Sequence, residues 1–216
     1  GEKLAVEKKE AWQEKVTSSV AKRSLIPYLK SRGVAKIDQL VLTESEPKQL
    51  DHVLEMSKAF ELGEVLVTEE TLSQRVFMDK LKESNLKVRS IKTGEQLFIF
   101  GSSLEVIETQ TRDSKASIAM HGKLLDQTFL VTGNTEEKFL VNSYPKLQTD
   151  VVITHQKSSK QKTDVEFFKT LQPKSTIISI DKNKTFKVKN GENKQEDKEL
   201  GNSIYKTDQK GAIRFK

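Results

Sequence analysis

Residues 37–67, IDQLVLTESEPKQLDHVLEMSKAFELGEVLV, constrain the fold more than any other stretch of the chain. Ile37, Leu40, Val41 and Leu42 make a short apolar run, the kind that fills a central buried strand. The run stops at Thr43, and the polar turn ESEPK follows. Residues 49–60 then carry helical spacing, with Leu50, Val53, Leu54, Ser57 and Phe60 expected on one face. Gly63 is expected to end that helix, and residues 65–67 to start another strand. A strand that leads through polar residues into a helix is the usual place for a site in an α/β protein.

The rest of the chain extends this pattern. Ser18 or Ser19 can cap a helix that runs to Arg32 and stops at Gly33, with Pro27 kinking it or dividing it in two. Residues 72–85 carry Val76, Phe77 and Leu81 at helical spacing, and residues 87–91 read as a strand. The pattern then changes. Residues 96–100, 104–109, 117–121 and 128–132 are short and β-rich, with turns expected at Gly94, Gly101 and Gly122, which describes an antiparallel meander. A helix over 136–144 stops at Pro145. Strands at 151–153 and 176–180 flank a helix over 165–171. Residues 183–201 are nearly free of large apolar side chains and read as a polar loop or a disordered segment. A closing hairpin is expected from 204–206 and 212–215. The chain of 216 residues reads as a single domain.

Charge is uneven along the chain. Residues 151–216 hold 15 Lys+Arg against 8 Asp+Glu, whereas residues 1–150 hold 22 against 23. The excess positive charge therefore sits in the last third. It serves either as a solvated face or as a footprint for a polyanion such as DNA. No apolar run approaches the roughly 20 residues that span a bilayer. With no cysteine in the chain, disulfides and thiolate metal sites are excluded. There is no Gly-rich phosphate loop and no Gly-x-Ser-x-Gly elbow.

From Thr17 to Val67, with SLIPYLKSRGVAKIDQLVLT at its heart, the chain resembles the metallo-β-lactamase-like domain of ComEC-type competence proteins, low-GC Gram-positive type. The likeness runs almost without gaps to SIYKTDQKGAIRF and so covers nearly all of the chain. It implies an αββα four-layer sandwich. It also implies that the chain begins inside the domain, with Gly1 matching the second glycine of the family's Asp-x-Gly-Gly turn and the first strands missing. An unpaired edge of the first sheet, open to self-association, would follow. The family passes single-stranded DNA into transformable cells. The resemblance therefore places the chain in an extracytoplasmic domain of a cell-membrane protein, itself soluble, with the rest of the channel protein as partner.

The family's chemistry is metal-dependent hydrolysis, with two divalent ions such as zinc or manganese. After the central strand the family reads Thr-His-x-Asp-x-Asp-His; here Thr43 is kept, and Glu44, Glu46, Lys48 and Gln49 occupy the ligand positions. The bridging aspartate of the Thr-Gly-Asp turn falls on Asn134, the His-His-Gly-Ser turn on Gln156, Lys157, Ser158 and Ser159, and the last histidine on Val188. A charged Lys has no lone pair to offer a cation. The resemblance with these replacements implies a domain without cofactor or catalytic residues, assisting DNA uptake in natural transformation. Two alternatives stay open: a metal-dependent nuclease with ligands relocated to Glu44, Glu46, Asp51, His52 and His155, and a structural or partner-binding module. The loop THQKSSKQK, residues 154–162, is basic and hydroxyl-rich, and Lys157, Ser159, Lys160 and Lys162 are the candidate DNA contacts. Lys48 is expected to lie within about 4 Å of Glu44 or Glu46 and to take over part of the metals' electrostatic role.

Overall fold

The computed structural model describes residues 19–44, 47–82, 84–99, 101–112, 115–155, 165–179, 202–207 and 213. A π-helical turn, Ala21–Leu25, leads without a break into α1, Ile26–Ser31, with Pro27 in the first turn of α1. The two-part helix expected from Pro27 is thus present, and Ser19 Oγ accepts from Lys22 N at 3.2 Å. Strand β1 (Lys36–Val41) is followed by α2 (Pro47–Ala59), β2 (Glu61–Val67), two short helices α3 (Glu69–Ser73) and α4 (Arg75–Lys82), and β3 (Val88–Ser90). The three strands pair in parallel in the order β1-β2-β3.

The second sheet has seven strands. β4 (Gln96–Ile99), β5 (Ser102–Arg112), β6 (Lys115–Leu124) and β7 (Gln127–Val131) form the antiparallel meander. Helix α5 (Glu137–Ser143), β8 (Val151–His155), α6 (Val165–Leu171), β9 (Ser175–Ser179) and β10 (Ser203–Lys206) continue it in parallel, giving the order β10-β9-β8-β7-β6-β5-β4.

Alternation along the strands makes the layers, because successive side chains of a strand point to opposite faces. On β2, Val65 and Val67 join Leu50, Val53, Phe77 and Leu81 under α2 and α4, whereas Leu66 points the other way. Leu66 meets Ile91, Leu97, Val106, Ile118 and Met120 in the apolar layer between the sheets. On the far side, Ala119, Leu130 and Val152 pack against Leu140 of α5 and Phe167, Phe168 and Leu171 of α6. The order is helices, sheet, sheet, helices, the four-layer sandwich that the sequence implied. Phe167 and Phe168 pack edge to face, with ring centroids 5.0 Å apart.

Several local expectations are corrected. β1 is not the central strand: among the described residues it pairs with β2 alone, and Lys36, Asp38 and Gln39 are exposed along it. The central strand is β2, which has a neighbour on each side and buries Val65, Leu66 and Val67 completely. Gly63 does not cap α2 but lies inside β2, where a Cβ would stand 2.4 Å from the Asp38 carbonyl oxygen. Met56 is a core residue of α2 at 2% exposure, between Val53 and Phe60. The helix over 72–85 breaks at Gln74, whose extended backbone divides α3 from α4. That break turns Val76 to solvent at 63% exposure while Phe77 and Leu81 stay buried. Gly122 makes no turn; it sits within β6 where a Cβ would come 2.1 Å from the Ser103 carbonyl oxygen. The turn falls instead at Leu125, with φ of 57°. β10 runs parallel to β9, and the second arm of the expected closing hairpin lies outside the described residues except Ile213. The polar stretch 183–201 also lies outside them.

Candidate functional site

The carboxyl ends of β1 and β7 meet the start of β6 at one end of the sandwich. Thr43 O accepts from Ile118 N at 2.9 Å, and Glu44 forms an antiparallel bridge with Ser117. These bonds tie the turn after β1 to the second sheet. The turn after β7 closes on the same place. Gly133 has φ of 53°, and a Cβ there would stand 2.5 Å from Ile118 O, 2.8 Å from Ser117 Oγ and 3.2 Å from Thr43 O. Glycine is required twice over, by the backbone angle and by the close approach.

Hydroxyl groups finish the junction. Asn134 N donates to Ser117 Oγ at 2.6 Å, and Ser117 Oγ lies 3.3 Å from Thr135 Oγ1. Thr132 Oγ1 donates to Thr154 Oγ1 at 3.1 Å, while Thr132 N donates to Ile153 O at 3.0 Å. Ser117, Thr132, Thr135 and Thr154 are all buried, so their polar atoms must be satisfied inside the protein, and they satisfy one another. At the neighbouring strand end, Thr68 caps α3 and accepts from Thr71 N at 3.1 Å. Sequence reasoning does not single out Ser117 or Thr135. The available signal is a hydroxyl inside an otherwise apolar strand, SIAM, and a second one just past the Thr-Gly-Asn turn.

The structure brings three of the sequence-derived positions to this junction. Glu44 and Asn134 converge through Ser117, and Gln49 Nε2 donates to Glu44 Oε2 at 3.3 Å. Glu46, Gln156, Lys157, Val188, Ser159, Lys160 and Lys162 lie outside the described residues, as do the side chains of Lys48 and His155. Lys48 stands in the first turn of α2. Of the relocated set, Glu44 stays at the junction, whereas Asp51 pairs elsewhere. Asp51 Oδ1 accepts from Lys80 Nζ at 2.6 Å across α2 and α4, and His52 is half-buried on α2. His121 Nε2 lies 3.2 Å from Gln148 O on β6, opposite Leu130, and burial pushes its imidazole below the usual value.

The donor set can be weighed against the two divalent ions that the fold implies. Such ions want several carboxylates and imidazoles converging on one point. Among the described residues the junction offers one carboxylate, Glu44, with amides and neutral hydroxyls already engaged in hydrogen bonds. Among the described residues no group of three His, Asp or Glu side chains lies close enough to hold a metal. The described residues do not fit a two-metal centre.

A different carboxylate is held strongly at the opposite ends of the strands. Asp150, just before β8, takes Lys174 Nζ at 2.7 Å and Thr128 N and Oγ1 at 2.8 Å each. The Lys174 ammonium first, then the two Thr128 donors, hold its carboxyl far below the usual carboxylate range. Asp150 O also accepts from Lys174 N and Ser175 N, so this residue fastens the starts of β7, β8 and β9 together.

The four layers, with parallel strands delivering polar turns to one junction, define the class: this is a metallo-β-lactamase fold. Solved structures agree. The metallo-β-lactamase fold protein YhfI from Bacillus subtilis superposes with a TM-score of 0.61 over 84% of this chain and 78% of its own, at 12% identity. Zinc-bound PqqB from Methylobacterium extorquens superposes with a TM-score of 0.54 over 79% of this chain and 71% of its own, at 11% identity. Within that class the chain is similar to ComE operon protein 3 of Bacillus subtilis, 24% identical over 218 residues. That match covers 96% of this chain and 28% of the relative, so the chain spans under a third of that protein's length. The resemblance to a competence-type metallo-β-lactamase-like domain, carried by residues 17–67, therefore holds along nearly the whole chain. No family model matches the chain.

Proposed function

We propose that the chain is a non-catalytic metallo-β-lactamase-like domain of a DNA-internalisation protein, assisting the passage of single-stranded DNA in natural transformation. The observation that supports this most is the closed junction of Thr43, Glu44, Ser117, Asn134 and Thr135. Where a hydrolase of this fold holds its metal ligands, hydroxyls and amides are knitted to one another. The groups that would polarise a phosphodiester or ionise a water are not assembled among the described residues.

The junction keeps a structural purpose in this reading. It clamps the two sheets together at the end where Glu44 and Asn134 meet. Contact with DNA is assigned to the last third of the chain, whose charge is positive, with Lys157, Ser159, Lys160 and Lys162 as phosphate contacts and without sequence preference. The other partner is the remainder of the channel protein. Among the described residues no helix is long and apolar enough to cross a membrane, so in this reading the membrane spans are supplied by that remainder.

The test is titration of a fluorescent oligonucleotide at several salt concentrations. Weak binding of single-stranded DNA that falls steeply with salt is expected. No binding at low salt would favour a purely structural module, and salt-independent binding would contradict the phosphate contacts.

A further inference from the structure

Among the described residues, the outermost strands β1 and β4 differ in their edge chemistry. β1 carries the charged residues Lys36 and Asp38, 52% and 86% exposed, and charges on an edge strand oppose its pairing with another chain. β4 has no such protection. Its four residues, Gln96, Leu97, Phe98 and Ile99, include no charge and no proline, and their register with β5 is uninterrupted. β4 is also the last strand of its sheet among the described residues.

Backbone parity decides which groups of β4 face outward. Val106 N donates to Glu95 O at 2.9 Å, so Leu97 and Ile99 stand in the hydrogen-bonded pairs with β5. Gln96 and Phe98 stand in the alternate pairs, and their N–H and C=O groups point away from the sheet. Phe98 presents its side chain at the same place, 78% exposed, whereas its neighbour Leu97 is buried in the layer between the sheets. An uncharged edge with outward amides and an exposed aromatic ring is a surface for strand addition.

We infer that β4 is a self-association edge, where a second copy of this chain adds its own β4 antiparallel about a two-fold axis through Leu97. In that register Gln96 of each copy pairs with Phe98 of the other through both N–H and C=O. Leu97 meets its own symmetry mate in the close, non-hydrogen-bonded pair and joins the two inter-sheet cores. The two Phe98 rings fall on one face in diagonal positions, within reach of each other. Glu95 of one copy faces Ile99 of the other, so no like charges oppose. The match of apolar to apolar and polar to neutral along the whole strand is what selects a second copy over an unrelated partner. This inference is independent of any role in DNA uptake.

Sedimentation of the full chain over a wide concentration range tests it. A reversible dimer is expected, lost in Phe98→Lys but kept in Val76→Lys, a control at another exposed apolar position, with both variants showing wild-type circular dichroism. The chain has no cysteine, so engineered pairs are clean. A mixture of Gln96→Cys and Phe98→Cys should cross-link on oxidation, while either variant alone should not, because like positions lie too far apart to bridge. A monomer at all concentrations, a dimer unaffected by Phe98→Lys, or cross-linking of Phe98→Cys with itself would overturn the inference.

Discussion

Ser117 Oγ accepts the backbone amide of Asn134 at 2.6 Å, and through this bond the turn after β7 is locked onto the first residues of β6. Ser117 is 3% exposed, so water cannot replace the acceptor if the hydroxyl is removed. Ser117→Ala should lower stability by about 1–3 kcal/mol, the cost of a buried donor left unpaired. Denaturant unfolding measures it. A loss below a few tenths of a kcal/mol would mean that the turn is held without Ser117.

Gly122 and Gly94 separate two reasons for glycine. At Gly122 a methyl would enter the β5–β6 ladder 2.1 Å from a carbonyl oxygen, whereas at Gly94, with φ of 85°, it would meet nothing within 4 Å. Gly94→Ala should cost about 1–2 kcal/mol, the left-handed backbone penalty. Gly122→Ala should cost more, because the strands must separate. The ranking is checked by thermal unfolding of the two variants side by side; the reverse order would contradict the register of β5 and β6.

Asp150 gives a pH signature. Its folded pKa is depressed by Lys174 and Thr128. Its contribution is therefore fully present above the unfolded value of about 3.9 and is lost as pH falls below that value. Lys174 is 81% exposed, so solvent screens the ion pair and reduces what it adds to stability. Asp150→Ala should cost about 2 kcal/mol at neutral pH, and the gap to wild type should shrink below about pH 4. A gap that stays constant down to pH 2 would show that the carboxylate charge is not involved.

Most of the layering is legible in the sequence because alternation of apolar and polar residues reports faces directly. The meander, α5 and α6 follow from the local pattern, whereas the four-layer order is implied by the family resemblance. What the pattern cannot report is position within a sheet. Ile37, Leu40 and Val41 look like a buried strand, yet β1 pairs on one side only among the described residues, because pairing order is set by contacts distant in sequence. Gly63 and Gly122 look like punctuation, since glycine commonly ends elements. Both are instead points where a neighbouring strand's carbonyl comes too close for a Cβ. Thr43, Glu44, Gln49 and Asn134 are legible as one site through the strand-end rule and the resemblance. Ser117 is not, because a single hydroxyl within an apolar strand carries no local sign of what it will hold.

The positive last third makes its own prediction. Changing Lys157, Lys160 and Lys162 together to Glu should weaken single-stranded DNA binding and flatten its salt dependence. Each phosphate left without its cation takes about 0.7 off the slope of log K against log salt. Binding unchanged in the triple variant would move the DNA-binding surface away from residues 154–162.

The central claim concerns chemistry at the junction, and metal content with nuclease activity on one preparation tests it most directly. The full chain, purified without chelator and supplied with zinc or manganese, is incubated with labelled single-stranded DNA while bound metal is counted. The account predicts no stoichiometric metal and no cleavage above that of a Glu44→Ala variant. Stoichiometric metal together with cleavage that Glu44→Ala abolishes would contradict it.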